Sequence, residues 1–256
     1  MDEVIVKYVT KRKPALREPI FIEGLPGIGN VGKLAVEHLI ENIGAKKFAE
    51  IYSKDFPPQV FMNPDGTVKL VRNELYYWKA RSKKHSDLIL LTGDYQGLSS
   101  SGQYELAHAI LKIAKDFHVK QIFTLGGYGL GREIKEPHVL GAATSKKLVT
   151  KMKKYGVVFR ENEPGGGIIG ASGLLLGLGN KLYGMEGVCL MGETPGYLVD
   201  PKSAKAVLKI LDKILKVDID LSELEIKAKE IENIAQQLRD LEQMAREKPE
   251  DLQYIG

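Results

Sequence analysis

Short apolar runs alternate along most of the chain with longer segments of helical period, and this alternation constrains the fold more than any other feature. Leu88–Thr92 is a continuous apolar run, as expected of a strand covered on both faces. Gly102–Phe117 follows with Leu106, Ile110, Ile113 and Phe117 on one helical face, and Gln121–Leu125 returns as a strand ending in Gly126-Gly127. Upstream, Val4–Val9 and Pro19–Ile22 read as β-branched strands around a Lys/Arg/Pro loop. Val31–Asn42 reads as a helix stopped by Gly44 in the manner of a glycine cap. Strands are expected at Phe48–Ser53, Gln59–Met62, Val68–Val71 and Leu75–Lys79. Asn63-Pro64-Asp65-Gly66 makes a hairpin turn, because Asp-Gly supplies the positive φ. Downstream, Ser145–Tyr155, Ser172–Leu182 and Ser203–Leu215 read as helices, and Val157–Phe159 and Val188–Met191 as strands. The pattern predicts an α/β fold, with a mostly parallel central sheet, helices on both faces and the hairpins as an antiparallel elaboration.

Charge divides the chain. From Leu221 to Gly256 there are five basic and nine acidic residues, so a net charge of +4 resolves into −4 on this segment and +8 on the rest. The expected organisation is a core domain over residues 1–217 and a C-terminal helical extension with a flexible tail over 218–256. Ser222-Glu223-Leu224-Glu225 has the capping-box pattern, in which the Ser and Glu side chains satisfy exposed N–H groups at a helix start. Ile231, Ile234, Leu238, Leu241 and Ala245 then form a short heptad seam, too short for an independent coiled coil. The stripe therefore needs another surface, either its own core or a neighbouring subunit. Pro249 ends the helix, leaving an acidic tail with an apolar tip.

A chain of 256 residues buries enough apolar surface to fold without staples. Its single cysteine, Cys189, excludes an internal disulfide and a cysteine zinc site, and points to a reducing compartment. No apolar run approaches the roughly 20 residues of a membrane span, and Met1-Asp2-Glu3-Val4 lacks a signal region. The expectation is a soluble cytoplasmic protein with no membrane partner. The lysines of the body are scattered and carry no nucleic-acid motif, so no nucleic-acid partner is expected.

Chemistry-bearing candidates are few. Gly27-x-Gly29-x-x-Gly32 lies between a strand and a helix, the context of a dinucleotide loop, and a nucleotide- or nucleoside-binding enzyme is the alternative reading it supports. Pro26 stiffens its turn, and the acid expected about 20 residues on is ambiguous between Glu50 and Asp55. Tight strand–helix packing also explains the glycines. Ser172, in Gly-Ala-Ser-Gly, lacks the second spacer of a nucleophile elbow. Asp94 follows a buried strand, the usual place for an acid in an α/β sheet, without an evident partner. His38, His85, His108, His118 and His138 form no close pair with metal-ligand spacing. Glu105-x-x-His108 occurs once where a di-iron site needs it twice. Cys189 sits in an apolar run and reads as core. No catalytic, cofactor or metal site is assigned.

Gly24-Leu25-Pro26-Gly27-Ile28-Gly29-Asn30-Val31-Gly32 resembles the N-terminal signature of the proteasome-assembly-chaperone family. So do Thr124-Leu125-Gly126-Gly127-Tyr128, Gly167-Ile168-Ile169-Gly170 running into Gly173-Leu174-Leu175-Leu176-Gly177, and Gly192-Glu193-Thr194-Pro195-Gly196-Tyr197 with Asp200-Pro201. The match spans roughly residues 15–217 in order and is most similar to the archaeal branch. The resemblance implies a non-enzymatic α/β protein similar to nucleoside phosphorylases, which would account for Met185-Glu186. It implies homo-oligomers that bind 20S proteasome α-type subunits or the α-ring and promote assembly or gate opening through C-terminal tails. The partner-binding residues would be Leu252, Gln253, Tyr254, Ile255 and Gly256. The family's tail motif places a tyrosine second from the end after a hydrophobic residue; here Tyr254 is third from the end and follows Gln253.

Overall fold

The structure, a computed structural model, describes residues 4–82, 85–161, 163 and 165–247. Its centre is four parallel strands: β2 (Ile20–Glu23), β7 (Leu88–Gly93), β8 (Gln121–Gly129) and β10 (Glu186–Thr194). Antiparallel strands extend both sides. β6 (Asn73–Trp78), β3 (Lys46–Tyr52) and β1 (Ile5–Tyr8) follow one another beyond β7, and β9 (Val139–Ala143) lies beyond β10. The eight strands run in the order β1-β3-β6-β7-β2-β8-β10-β9, so the sheet is mixed, with three parallel and four antiparallel pairings. One expected hairpin forms separately, as a small sheet of β4 (Val60–Met62) and β5 (Val68–Leu70).

Helices cover both faces, as the periodicity predicts. Side chains alternate along the central strands, so Ile89 and Leu91 of β7 face one layer while Leu88 and Leu90 face the other. Against the first face lie α2 (Ser100–Asp116), with Leu106, Ile110 and Leu111, and α4 (Ala171–Tyr183), with Leu175 and Leu176. Against the second lie α1 (Val31–Ile43), α3 (Lys146–Lys153) and α5 (Pro201–Leu215). The last of these packs on α1, and Val207, Leu208 and Leu211 are wholly buried. Each such side chain contributes about 1.5–3 kcal/mol by leaving water. Local signals set the helix ends: Ser99 and Ser145 accept from backbone N–H groups at the starts of α2 and α3, and Asp200 accepts from Ser203 N ahead of Pro201. Gly44 closes α1 at φ 64°, as expected.

Three expectations are corrected. Val157–Phe159 forms only an isolated bridge, Leu140 to Val158, while the strand is β9. Val-Leu-Gly-Ala-Ala is a weak strand sequence, and pairing with β10 decides it. Second, β8 does not end at Gly126-Gly127 but runs to Gly129, because β10 pairs with it residue by residue to Thr194. Third, the capping box does not form. Ser222 is the first residue of α6 (Ser222–Glu247); Asp220 accepts from its N–H, and Glu225 pairs instead with Lys205 of α5. His38 and Asn42 of α1 hold the Asp220 carbonyl, and Leu224 is buried in the core. The root of α6 thus packs on its own chain, while Ile226 and Ile234 are exposed.

The glycines bear on stability unequally. A Cβ on Gly32 would stand 2.0 Å from the Leu125 carbonyl oxygen, backbone against backbone, with nothing flexible to yield. Gly32→Ala is expected to cost at least about 3 kcal/mol. A Cβ on Gly44 meets nothing within 4 Å, so Gly44→Ala carries only the left-handed penalty, about 1–2 kcal/mol. Urea titrations of the two variants should show a far lower midpoint for Gly32→Ala at an unchanged slope.

Candidate functional site

In open α/β sheets, ligands bind outside the carboxyl ends of the parallel strands. Here that end is closed by polar residues that bind the chain itself. Glu23, the last residue of β2, is buried; its Oε1 accepts from Leu25 N at 3.0 Å and its Oε2 from the Ser172 hydroxyl at 2.9 Å. Gln96, in the loop after β7, donates to Pro26 O at 2.7 Å and accepts from Ala171 N at 2.9 Å. It therefore occupies the amino end of α4, where an anion would otherwise be drawn. Glu193, near the end of β10, accepts from His138 N, His138 Nδ1 and Arg160 Nη2. Burial works to raise its pKa, but these hydrogen bonds and the guanidinium charge hold it below the usual carboxylate range.

The glycine loop is engaged in the same way. A Cβ on Gly24 would strike Gly32 O at 2.1 Å, and Gly32 in turn meets Leu125 O. A Cβ on Gly127 of β8 would strike Ile28 O at 2.3 Å, and Gly29 O accepts from Asp200 N. The motif lets a loop, a helix start and a strand approach at backbone distance, which is the packing alternative of the sequence reading. Neither acid considered for a ribose is placed to serve one. Glu50 accepts from Lys47 and Tyr52 within β3, and Asp55 accepts from Ser99 N and Oγ at the start of α2.

The remaining candidates are similarly committed. Asp94 accepts from Arg72 N at 3.0 Å and pairs with Lys69 at 3.4 Å, so it anchors the β4–β5 hairpin. Ser172 spends its hydroxyl on Glu23. His38, His85, His108 and His138 bind, respectively, Asp220 O, Leu215 O, the Tyr183 hydroxyl and Glu193, and His118 sits at φ 59° in the turn after α2. Among the described residues no three potential metal ligands converge. Cys189 is buried, and burial pushes its thiol up to about 12. Glu186 is exposed at the amino end of β10, away from the loops. Sequence reasoning missed a polar cluster on β3 and β6, where Lys47, Arg72 and the Tyr76 hydroxyl meet Glu74. Burial acts to raise the Glu74 pKa, but these donors outweigh it and bring the carboxyl down to about 2. Alternation of Arg72, Glu74 and Tyr76 on one strand face was the available signal.

Several large apolar side chains are exposed at this end, beside a charged loop after β8. Ile28, Leu98, Ile169, Tyr197, Leu198 and Val199 are exposed on its loops, Ile169 to 89%. Tyr197, Leu198 and Val199 also line a groove of about 90 Å³ with Ile134, Ala228 and Ile231, the last two from α6. The expected partner-binding residues Leu252, Gln253, Tyr254, Ile255 and Gly256 lie outside the described residues. No described helix is long and apolar enough to cross a membrane.

Comparison with known proteins places these features in a family. The model of the PAC2 family matches residues 21–239. The uncharacterized protein MJ1210 of Methanocaldococcus jannaschii is 43% identical over 221 residues, which is 86% of this chain and 83% of that one. The crystal structure of Pyrococcus furiosus PbaB, described as an archaeal proteasome activator, superposes with a TM-score of 0.88 at 45% identity, covering 93% of this chain and 100% of that one. P. furiosus PbaA, described as an archaeal homolog of proteasome-assembly chaperone, superposes with a TM-score of 0.76 at 26% identity, over 96% and 95% of the two chains.

The buried Glu23 sets a pH dependence. Burial raises its pKa from 4.5 to about 7 despite the hydrogen bonds from Leu25 and Ser172. Between those values the folded chain holds a proton that the unfolded chain has released. Stability therefore falls as pH rises through this window, by about 3 kcal/mol in all, and levels off above it. Glu23→Gln keeps an acceptor for Leu25 N and a donor for Ser172. Urea unfolding at pH 5 and pH 8 should show this part of the decline in the native chain and lose it in the variant.

Proposed function

The chain belongs to the PAC2 family, beside the archaeal proteasome-assembly-chaperone homologues within it, and we propose that it is a non-enzymatic chaperone or adaptor of the 20S proteasome. In this reading it works in the cytoplasm as a homo-oligomer, binds α-type subunits or the α-ring, and promotes assembly or gate opening. The observation that carries it is the likeness to PbaB over nearly the whole chain, at an identity high enough to extend beyond the fold. The polar closure of the sheet end agrees with it. The groups that would bind a small substrate are spent on the chain's own loops, so the surfaces that remain are those of a protein-binding protein. The nucleotide-binding alternative is less favoured, since Gly24 and Gly32 are accounted for by close backbone packing of loop, helix and strand.

The division of labour follows the charge. Residues 1–217 form the body, and residues 218–256 form an arm that carries the contact. A tail reaching a pocket between ring subunits would offer Tyr254 or Ile255 to an apolar slot. Several tails on one oligomer bind with avidity, so each can be individually weak. Deletion of Leu252–Gly256 is expected to reduce co-sedimentation with 20S particles at least tenfold while leaving the mass of the oligomer unchanged. Undiminished binding by the truncated chain would remove the tail mechanism. Failure of the full-length chain to bind 20S particles or isolated α subunits would remove the proteasome reading.

A further inference from the structure

Asn73, the first residue of β6, is wholly buried, and neither Oδ1 nor Nδ2 of its carboxamide meets a hydrogen-bonding partner among the described residues. It lies on the face of β6 that carries Leu75, toward α2, and its registry partner on β7 is Gly93. The two positions fit by size: a Cβ on Gly93 would stand 1.9 Å from Asn73 Oδ1, so a side chain there would displace the carboxamide. A leucine of similar volume would suit the Leu25, Leu106 and Ile110 side chains nearby. A buried carboxamide with neither end paired instead costs free energy that packing does not return.

Beside Asn73 is a small, largely enclosed cavity of about 10 Å³, at the lower end of the roughly 10–15 Å³ that admits one water molecule. Two further carboxamides line it, Gln96 from the loop after β7 and Gln103 from the start of α2. Both are anchored. Gln96 lies between Pro26 O and Ala171 N, and Gln103 donates to Gly97 O at 3.0 Å. Those bonds leave each amide with a second proton to give and a carbonyl lone pair to offer.

We propose that this cavity is a binding site for a single ordered water molecule, which joins the Asn73 carboxamide to the glutamine carboxamides that line the same space. A buried water typically makes about three hydrogen bonds, and the three amides supply both donors and acceptors for them. Size and charge identify the ligand. The volume leaves no room for a larger polar molecule, and no charged side chain lines the cavity to hold an ion. The water carries the polar closure of the sheet end one strand further, from the loop after β7 to β6. It also links Asn73 to Gln96, the residue that ties the glycine loop to the start of α4. The proposal is independent of the proteasome reading.

Two measurements on the full-length chain test it. A high-resolution crystal structure of the native protein is expected to show one isolated density peak within hydrogen-bond distance of Asn73 and of at least one of Gln96 and Gln103. Magnetic relaxation dispersion of the water oxygen nuclei counts long-lived internal waters in solution. It is expected to find one fewer in Asn73→Leu, which keeps the volume of the side chain and removes its polar end. An empty cavity in the density overturns the proposal, as does a direct hydrogen bond from Asn73 to either glutamine in place of the peak. An equal count of long-lived waters in the native chain and the folded variant overturns it as well. The crystal structure needs no substitution, so it decides the matter alone if Asn73→Leu fails to fold.

Discussion

The fold turns on one backbone contact, the approach of Gly32 at the start of α1 to the Leu125 carbonyl of β8. With any side chain at position 32 the helix would stand off the sheet. Val31, Ala35, Val36 and Leu39, all fully buried, would lose their contact with Phe123 and Leu125. The same approach draws the preceding loop down, so that Ile28 O rests over Gly127 and Gly24 meets Gly32 O. From there the constraint spreads to the neighbouring strand: Gly29 O accepts from Asp200 N, which places the cap of α5. A motif with the spacing of a phosphate loop is thus consumed as a packing device.

Once backbone fills that end of the sheet, the polar groups near it face a desolvation problem. Each buried carboxyl or carboxamide must find a partner or cost free energy comparable to a lost hydrogen bond. Glu23, Gln96, Asp94 and Glu193 solve it with partners from distant loops, and in doing so they tie those loops to one another. The outcomes differ with the partner. Glu23 meets only neutral donors and is pushed toward protonation, whereas Glu193 and Glu74 meet cations and stay ionised. The result is a layer of polar contacts that ties the loops together, with several large apolar side chains exposed beyond it.

Much of the architecture was legible from pattern. The continuous apolar run at Leu88–Thr92, the helical period of Gly102–Phe117, the Asp65-Gly66 turn and the Gly44 cap all took their expected form, because each is decided by neighbours in sequence. β9 was not legible, since Gly141, Ala142 and Ala143 carry little strand preference and owe their conformation to β10. Nor was the start of α6. There, Asp220 supplied the acceptor and Lys205 drew Glu225 away from the capping role assigned to it. The candidate site was legible only as a set of residues. Asp94, Ser172 and the glycines were visible, but the Glu23–Ser172 and Glu193–Arg160 pairs join positions far apart in the chain.

The amino-acid order by itself determined the alternation of strands and helices, the glycines at which elements approach or end, the uneven distribution of charge along the chain, and the kinship those motifs carry. All of these are local or additive properties of the chain. Tertiary structure alone decided whether the Gly27–Gly32 loop holds an anion or a backbone, and whether Asp94 is an acid or an anchor. Each outcome depends on which atoms arrive from elsewhere in the chain. At this sheet end those atoms belong to Leu125, Gln96, Arg72 and Lys69.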